Sequence, residues 1–455
     1  MYSHDKPSGI AWPRLLSPRA ATVRWILQRM NHAETQAPAE RAAAQRAQLQ
    51  NLLAHAYRTV PFYRDRLASA GFRPERPLTE EIWRRIPVLG RGEVQANAEA
   101  LRARGMPTGH GEVREYSTSG STGIPLRVLK SQLSGLFWDA MTAREFLWQG
   151  RDLTQDWHSI RFIRDPAMAP YPDGMVSPGW GRVGEVLGAT GKTYGLDIRT
   201  DPSDQIEWLQ RNPPVYLQTY PSNLAALLDA SVGLERPFPQ LQQVSTLAES
   251  LPEDLRQRCR EQWGARICDV YSATEVGYIA LQAPQADHYL VPEEVVRVEL
   301  LTDAGAPAAP GEQGLVVATP LHNFAMPLIR YAVGDYAEAG EAASGSLTLP
   351  VINRILGRVR NMLQYPDGRK AWPLLADSRY RGVAPVRQFR VIQHALERLE
   401  FQLVAERPLT SEEKAGLAQI IRDRVGYPFQ IDVTEHAEIP RNAGGKYEDF
   451  RSELT

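Results

Sequence analysis

Apolar positions along this chain change period twice, and each period predicts a different kind of element. Leu49, Leu52, Leu53, Ala56, Tyr57 and Val60 recur at three- and four-residue intervals until Pro61. That spacing is one face of an amphipathic helix, and a proline stops it. The Ala- and Gln-rich stretch 39–50, just after Pro38, looks compositionally biased, yet its apolar positions make an amphipathic face, so residues 1–110 read as a helical lead-in. Between residues 113 and 354, short strand-like runs such as 215–219 alternate with helical runs such as 224–230, with Pro and Gly between them. Alternation of this kind predicts an α/β body. Residues 295–301 and 314–319 flank the turn-rich stretch 303–311 and predict consecutive strands, hence a β-rich portion late in the body.

After Arg358 the period becomes two. Phe389 and Val391, then Leu399, Phe401 and Leu403, alternate with polar residues. Thr410 with Glu413 makes a capping-box pattern ahead of Leu417, Ile420, Ile421 and Val425, closed by Gly426, and 431–433 is one more short strand. Strand, strand, helix, strand is enough for a small α+β domain. The expected architecture is therefore a large N-terminal α/β body with a β-rich portion, residues 1–357, and a small C-terminal α+β domain, residues 358–455.

Composition narrows the class of function. The chain has 455 residues, 43% apolar and 23% charged, an ordinary globular balance long enough for two or three domains at roughly 150 residues each. Lys and Arg number 52 against 53 Asp and Glu, with no long block of one sign, so neither nucleic acid nor a membrane surface is an expected partner. Two cysteines, Cys259 and Cys268, make neither a disulfide framework nor a zinc pattern, and they suit a reducing, cytoplasmic compartment. No basic segment followed by an apolar run opens the chain, and no run of about 18 apolar residues occurs, so secretion and membrane insertion are not expected.

Candidate chemistry starts at residues 116–125, Y-S-T-S-G-S-T-G-I-P. Gly120 and Gly123 allow close backbone approach, and Thr118, Ser119, Ser121 and Thr122 offer hydroxyl donors, a combination that suits phosphoryl oxygens. Taken alone, such a loop is more often a surface turn. It is not a Walker loop. The nearest candidate for that, Gly191-Lys192-Thr193, has Val186 where the first glycine belongs. No G-x-S-x-G elbow and no H-E-x-x-H occurs, which removes the main support for hydrolase and zinc-protease readings. His288 and His322 lie near the motifs in no metal-ligand pattern and read as structural residues.

The order of the later segments resembles the adenylate-forming superfamily of acyl-coenzyme A synthetases, peptide-synthetase adenylation domains and luciferases. T-S-G-S-T-G-I-P at 118–125 matches the family's T-S-G-[ST]-T-G-x-P loop, Y-S-A-T-E at 271–275 resembles Y-G-x-T-E, and Y-A-V-G-D at 331–335 resembles Y-R-T-G-D. Gly357-Arg358 resembles the start of its hinge motif, and P-R-N-A-G-G-K at 440–446 its C-terminal lysine loop. Including Y-R-T-V-P-F-Y-R at 57–64, the chain is most similar to the phenylacetate-coenzyme A ligase-like branch.

The resemblance implies a ligase that uses ATP and Mg²⁺ to turn a carboxylic acid into an acyl-AMP, with coenzyme A the expected acceptor and an amine or a carrier protein the alternatives. A non-catalytic nucleotide-binding relative is the reading from another class; Glu275, Asp335 and Lys446 together argue against it. It implies phosphate binding by Thr118, Ser119, Gly120, Ser121, Thr122 and Gly123, with Lys446 catalytic on the α-phosphate and carboxylate oxygens. Glu275 would hold Mg²⁺, and Asp335 would accept from the ribose hydroxyls beside Arg358. Tyr271 would lie on the adenine face, with Ala248, Glu249 and Ser250 as the adenine wall and Ser272 and Thr274 nearby. Tyr220, Ser245 and Ala273 would line the pocket of an aromatic or compact apolar acid, and Arg360 would be the hinge. The chain departs from the family at Ser272, for glycine, at Ala332-Val333, for Arg-Thr, and at the hinge, where R-V-R-N replaces R-x-D-D. Q-Y-P-D-G-R-K-A-W-P at 364–373 also stands where relatives carry R-G-x-N-[VI]-x-P, so the resemblance supports adenylation better than thiol transfer.

Overall fold

The computed structural model describes residues 15–118, 125–341, 347–358, 361–373, 375, 379–441 and 447–454. The lead-in consists of α1 (Pro18–Glu34), α2 (Pro38–Thr59), α3 (Pro61–Ser69), α4 (Glu80–Arg85) and α5 (Arg91–Ala96). Prolines open α1, α2 and α3, where a missing N–H costs nothing and the fixed φ suits the first turn. Pro61 thus ends α2 and starts α3 at once. The stripe expected on α2 is buried: Leu49, Leu52, Leu53 and Ala56 have no exposed surface, and most of it packs in one core with Tyr63, Trp83, Leu89 and Tyr331.

Next come the hairpin β1 (Val113–Ser117) and β2 (Arg127–Ser131), then α6 (Gln132–Trp148), β3 (Trp157–Arg161), β4 (Met175–Ser177), α7 (Arg182–Leu187) and β5 (Thr193–Asp197). The alternation continues through α8 (Pro202–Arg211), β6 (Tyr216–Thr219), α9 (Pro221–Ala230), β7 (Gln243–Leu247), α10 (Glu253–Trp263) and β8 (Arg266–Ala273). Six strands follow: β9 (Gly277–Gln282), β10 (Tyr289–Leu290), β11 (Val296–Leu301), β12 (Gln313–Pro320), β13 (Tyr331–Ala339) and β14 (Val351–Arg358).

Strands β3 to β14 form one twelve-stranded sheet in the order β11-β12-β13-β14-β10-β9-β8-β7-β6-β3-β5-β4. Its centre, β8-β7-β6-β3-β5, is parallel, and both of its faces are covered. Leu217, Val244 and Ile267 point to the side of α8, α9 and α10, where Leu224, Leu227 and Leu255 meet them. Trp157, Tyr216 and Val270 point to the opposite side, against residues of α1, α6 and α7 such as Ile26, Met141 and Val183. The β-rich portion adds antiparallel strands to the same sheet at β9, so it is not a separate layer.

The remaining elements are β15 (Leu363–Gln364), β16 (Lys370–Ala371), α11 (Arg379–Val383), β17 (Val386–Ala395), β18 (Arg398–Ala405), α12 (Ser411–Val425), β19 (Gln430–Glu435) and β20 (Phe450–Ser452). They build a four-stranded sheet, β19-β18-β17-β20, over a core drawn entirely from Leu363 onward. The capping box forms as the spacing predicts. Thr410 Oγ1 accepts from the Glu413 amide at 3.2 Å, Glu413 accepts from the Thr410 amide at 2.8 Å, and Gly426 ends α12 in the left-handed region at φ 63°. Strand β20, parallel to β17, has no counterpart in the sequence reading.

Candidate active site

Parallel strands feed their carboxyl ends into one edge, the usual ligand-binding edge of an open α/β sheet. At that edge Tyr220 follows β6, residues 248–250 follow β7, and Tyr271–Glu275 end β8. Asp335 of β13 stands opposite Arg358 of β14 in the same sheet.

The tightest cluster is built on Tyr271 and Asp335. The Tyr271 hydroxyl donates to Asp335 Oδ2 at 2.8 Å, and Arg358 Nε lies 3.6 Å from Oδ1. Burial, and then the neighbouring carboxylate, push the Tyr271 phenol well above its ordinary range, so it stays a donor. Its ring packs in the core with Ile279, Ala280 and Tyr331. Gly334, at φ 89°, sets the chain one residue before the carboxylate. Gly357, at φ 123°, is confined as well: a Cβ there would stand 3.1 Å from Trp372 and 3.2 Å from Ser250 Oγ.

A second cluster surrounds Glu275, which is buried and accepts from the Tyr331 hydroxyl at 3.2 Å. Lys130 of β2 faces it. Burial pulls that ammonium down to about 8 against the opposing attraction of Glu275, and no hydrogen bond to it occurs among the described residues. Thr118 closes the base of the hairpin loop. Its Oγ1 accepts from the Leu126 amide at 3.0 Å and from Arg91 at 3.4 Å, while its own amide donates to the Leu126 carbonyl at 2.9 Å. Lys130 opposite Glu275 and Arg91 beside Thr118 bring two cationic side chains to this end of the site. No group of three or more His, Cys, Asp or Glu residues suited to a metal occurs among the described residues. A single carboxylate fits a hard divalent cation that takes its other ligands from phosphate and water.

The expected residues divide as follows. Tyr220, Ala248, Glu249, Ser250, Tyr271, Ser272, Ala273, Thr274, Glu275, Asp335 and Arg358 lie along the carboxyl edge or the β13–β14 pair beside it, with Thr118 at the hairpin base. Ser245 is different: it is 2% exposed inside β7, paired with Cys268, so it is a sheet-core residue. Ala248 takes a positive φ of 70°, a strained backbone for a residue with a side chain. Glu249 has its carboxylate occupied, by the amides of Ser222 at 2.9 Å and Tyr447 at 2.7 Å. Ser119, Gly120, Ser121, Thr122, Gly123, Arg360 and Lys446 lie outside the described residues. Sequence reasoning passed over Arg91, Lys130, Arg441 and Tyr447, because no local spacing marks a residue whose partner is distant. His322 is structural as expected: it stacks on Phe137 at 3.7 Å, meets the Glu294 carbonyl at 2.9 Å, and burial holds it down at about 4. Cys259 and Cys268 are buried and unpaired. Among the described residues no helix is long and apolar enough to cross a membrane.

No family model matches the chain. It is 24% identical over 449 residues to a phenylacetate-coenzyme A ligase of Thermus thermophilus, an alignment that spans 89% of this chain and 94% of the relative. It is 24% identical over 428 residues to the phenylacetate-coenzyme A ligase of Escherichia coli, spanning 90% and 94%. Among solved structures, 2-hydroxyisobutyryl-CoA ligase in its postadenylation state, with R3-HIB-AMP, superposes with a TM-score of 0.70 at 18% identity, covering 100% of this chain and 95% of that one. The same ligase with 2-HIB-AMP and CoA in the thioesterification state scores 0.60 at 19% identity, over 93% and 92%.

Proposed function

We propose that the chain is an ATP-dependent, AMP-forming acid–coenzyme A ligase. It is adenylate-forming in fold and phenylacetate-coenzyme A ligase-like in sequence along about nine-tenths of its length. In the first step a carboxylate oxygen attacks the α-phosphorus of ATP, the bond to the bridging oxygen breaks, and pyrophosphate leaves. In the second, the thiol sulfur of coenzyme A attacks the acyl carbonyl, AMP leaves with the bridging oxygen, and the thiol proton passes to solvent.

The observation that carries this reading is the gathering of Glu275, the Tyr271–Asp335–Arg358 cluster and Thr118 at one edge of a parallel sheet. Asp335 has lone pairs for two ribose hydroxyls besides the one it offers Tyr271. Arg91 and Lys130 would face the triphosphate together with the loop residues 119–123. Glu275 would hold Mg²⁺, which when bound neutralises charge on the departing pyrophosphate. Lys446 would stabilise the charge that grows on the α-phosphate oxygens. The acid would lie between Tyr220, Ala248 and Ala273, and an aromatic or compact apolar acid suits that edge. Residues 358–455 would turn as a lid about Arg360 between the two steps. The higher superposition score against the postadenylation state supports reading the present arrangement as the one that makes acyl-AMP. Two unpaired buried cysteines suit the cytoplasm, the location we propose.

Acid-dependent exchange of labelled pyrophosphate into ATP, run over a panel of aryl and short-chain acids, tests the first step. Exchange with none of them would overturn the ligase reading. Mass spectrometry of products with coenzyme A, an amine and a carrier protein offered in competition tests the acceptor; an amide or a carrier-bound thioester as the main product would overturn coenzyme A.

A further inference from the structure

The described residues on either side of 442–446 are held by two side chains that belong to different parts of the molecule. Arg390 of β17 donates from Nη2 to the Pro440 carbonyl at 3.0 Å and from Nε to the Glu448 carbonyl at 2.9 Å. Both contacts lie within the C-terminal unit, so they do not depend on how that unit sits against the body. Glu249 makes the other tie, and it comes from the body. Its Oε1 accepts from the Tyr447 amide at 2.7 Å, its Oε2 accepts from the Ser222 amide at 2.9 Å, and the side chain is only 8% exposed. Arg441 completes the arrangement: Nη1 donates to Ser222 Oγ at 3.0 Å and stands 3.9 Å from Glu249 Oε1.

We propose that Glu249 is a positioning residue for acyl-AMP formation, whose carboxylate docks the chain on both sides of residues 442–446 onto the amino end of α9. The proposal rests on the ligase reading and on Lys446 as its catalytic residue. Three features support it. Helix α9 has no cap from its own preceding side chain, Tyr220, so its first-turn donors are open to a distant carboxylate. Ala248, held at φ 70°, bends the chain as it leaves β7, and Glu249 follows. Tyr447 and Arg441 also hold each other, the guanidinium lying 5.7 Å from the ring centroid, so the two sides of the segment dock as one. Arg390 therefore ties Pro440 to Glu448 within the C-terminal unit, whereas Glu249 acts only when that unit is docked as it is here.

Glu249→Gln tests this with little change in shape. The amide keeps one acceptor oxygen for two N–H donors and loses the charge that faces Arg441. Hydrogen exchange followed by mass spectrometry on residues 447–454 should show faster exchange at the Tyr447 amide in Glu249→Gln. Arg387→Ala, which removes the exposed Arg387–Asp201 contact of 3.2 Å between lid and body, should leave that amide as in the wild type. Acid-dependent pyrophosphate exchange should fall on the order of 10²-fold, the scale of a misplaced catalytic group. Thioester formation from supplied acyl-AMP should fall less than about threefold, since it uses the other lid pose. Arg441→Met, which keeps Glu249 and removes the second tie, should move both readouts in the same direction by less. Unchanged exchange at Tyr447, or equal losses in the two half-reactions, would overturn the proposal and make Glu249 part of the nucleotide wall. Wild-type protein that exchanges no pyrophosphate with any acid would overturn the ligase reading instead, while the amide measurement would still decide the docking.

Discussion

Tyr271→Phe separates two roles for one ring. If the residue serves the nucleotide by presenting an aromatic face, phenylalanine keeps that face and ATP binding is unchanged. If it serves by donating to Asp335, the donor is lost at a contact of 2.8 Å to a carboxylate, between side chains that are both largely buried. A hydrogen bond to a charged group contributes about 1.5–3 kcal/mol. We expect the variant to unfold more easily by about that amount and Asp335 to turn toward Arg358, now 3.6 Å away. A carboxylate that must be reoriented for the ribose hydroxyls should raise the KM for ATP by roughly tenfold, about 1.4 kcal/mol. The phenol's pKa is raised on folding, so its contribution is complete below pH 10 and is lost only as pH rises through the higher folded value. Both effects should therefore be flat from about pH 6 to 9. Urea unfolding at several pH values and the ATP dependence of pyrophosphate exchange measure them. Unfolding within about 0.5 kcal/mol of the wild type together with a KM within twofold would refute the donor role.

Other expectations follow from the same geometry. Gly357→Ala should destabilise the fold by about 1–3 kcal/mol, because φ 123° disfavours a side chain and the new Cβ meets Trp372 at 3.1 Å; an unchanged melting temperature would contradict this. His322 has its folded pKa lowered from 6.5 to about 4 by burial, so its contribution is complete above pH 6.5 and is lost as pH falls toward 4, up to about 3 kcal/mol. His322→Leu should flatten stability across that window, and an identical pH profile would sink the assignment. Lys130→Met removes a buried ammonium that has no hydrogen bond among the described residues, so unfolding should need equal or more denaturant while pyrophosphate exchange falls by roughly 10²-fold. Normal exchange in that variant would take Lys130 out of the site.

Local energetics are what a sequence carries openly, and they are what it settled here. The prolines that open α1, α2 and α3, the Thr410–Glu413 capping box, Gly426 and the buried face of α2 each depend on residues within a turn or two of one another. The loop at 118 was legible from residue types that suit phosphate, and the motifs at 271, 331, 357 and 440 through the resemblance of short ordered runs to a known family. What the spacing could not reveal depends on strand order and register. Ser245 reads as a pocket residue until pairing with Cys268 places it in the sheet core. The β-rich portion is legible as part of the body, but that it continues the same sheet is known only once β9 pairs with β8. The resemblance places Tyr271 on the adenine face and Glu249 in the adenine wall, but does not reveal that the Tyr271 hydroxyl lies on Asp335, 64 residues away, or that the Glu249 carboxylate lies on the Tyr447 amide, 198 residues away. Residue types and local periods therefore determined the elements, and the resemblance of short motifs supplied most of the candidate donors. Only the tertiary structure decided which donors are already committed to one another, because a contact across such separations exists only once the whole sheet and the lid are packed.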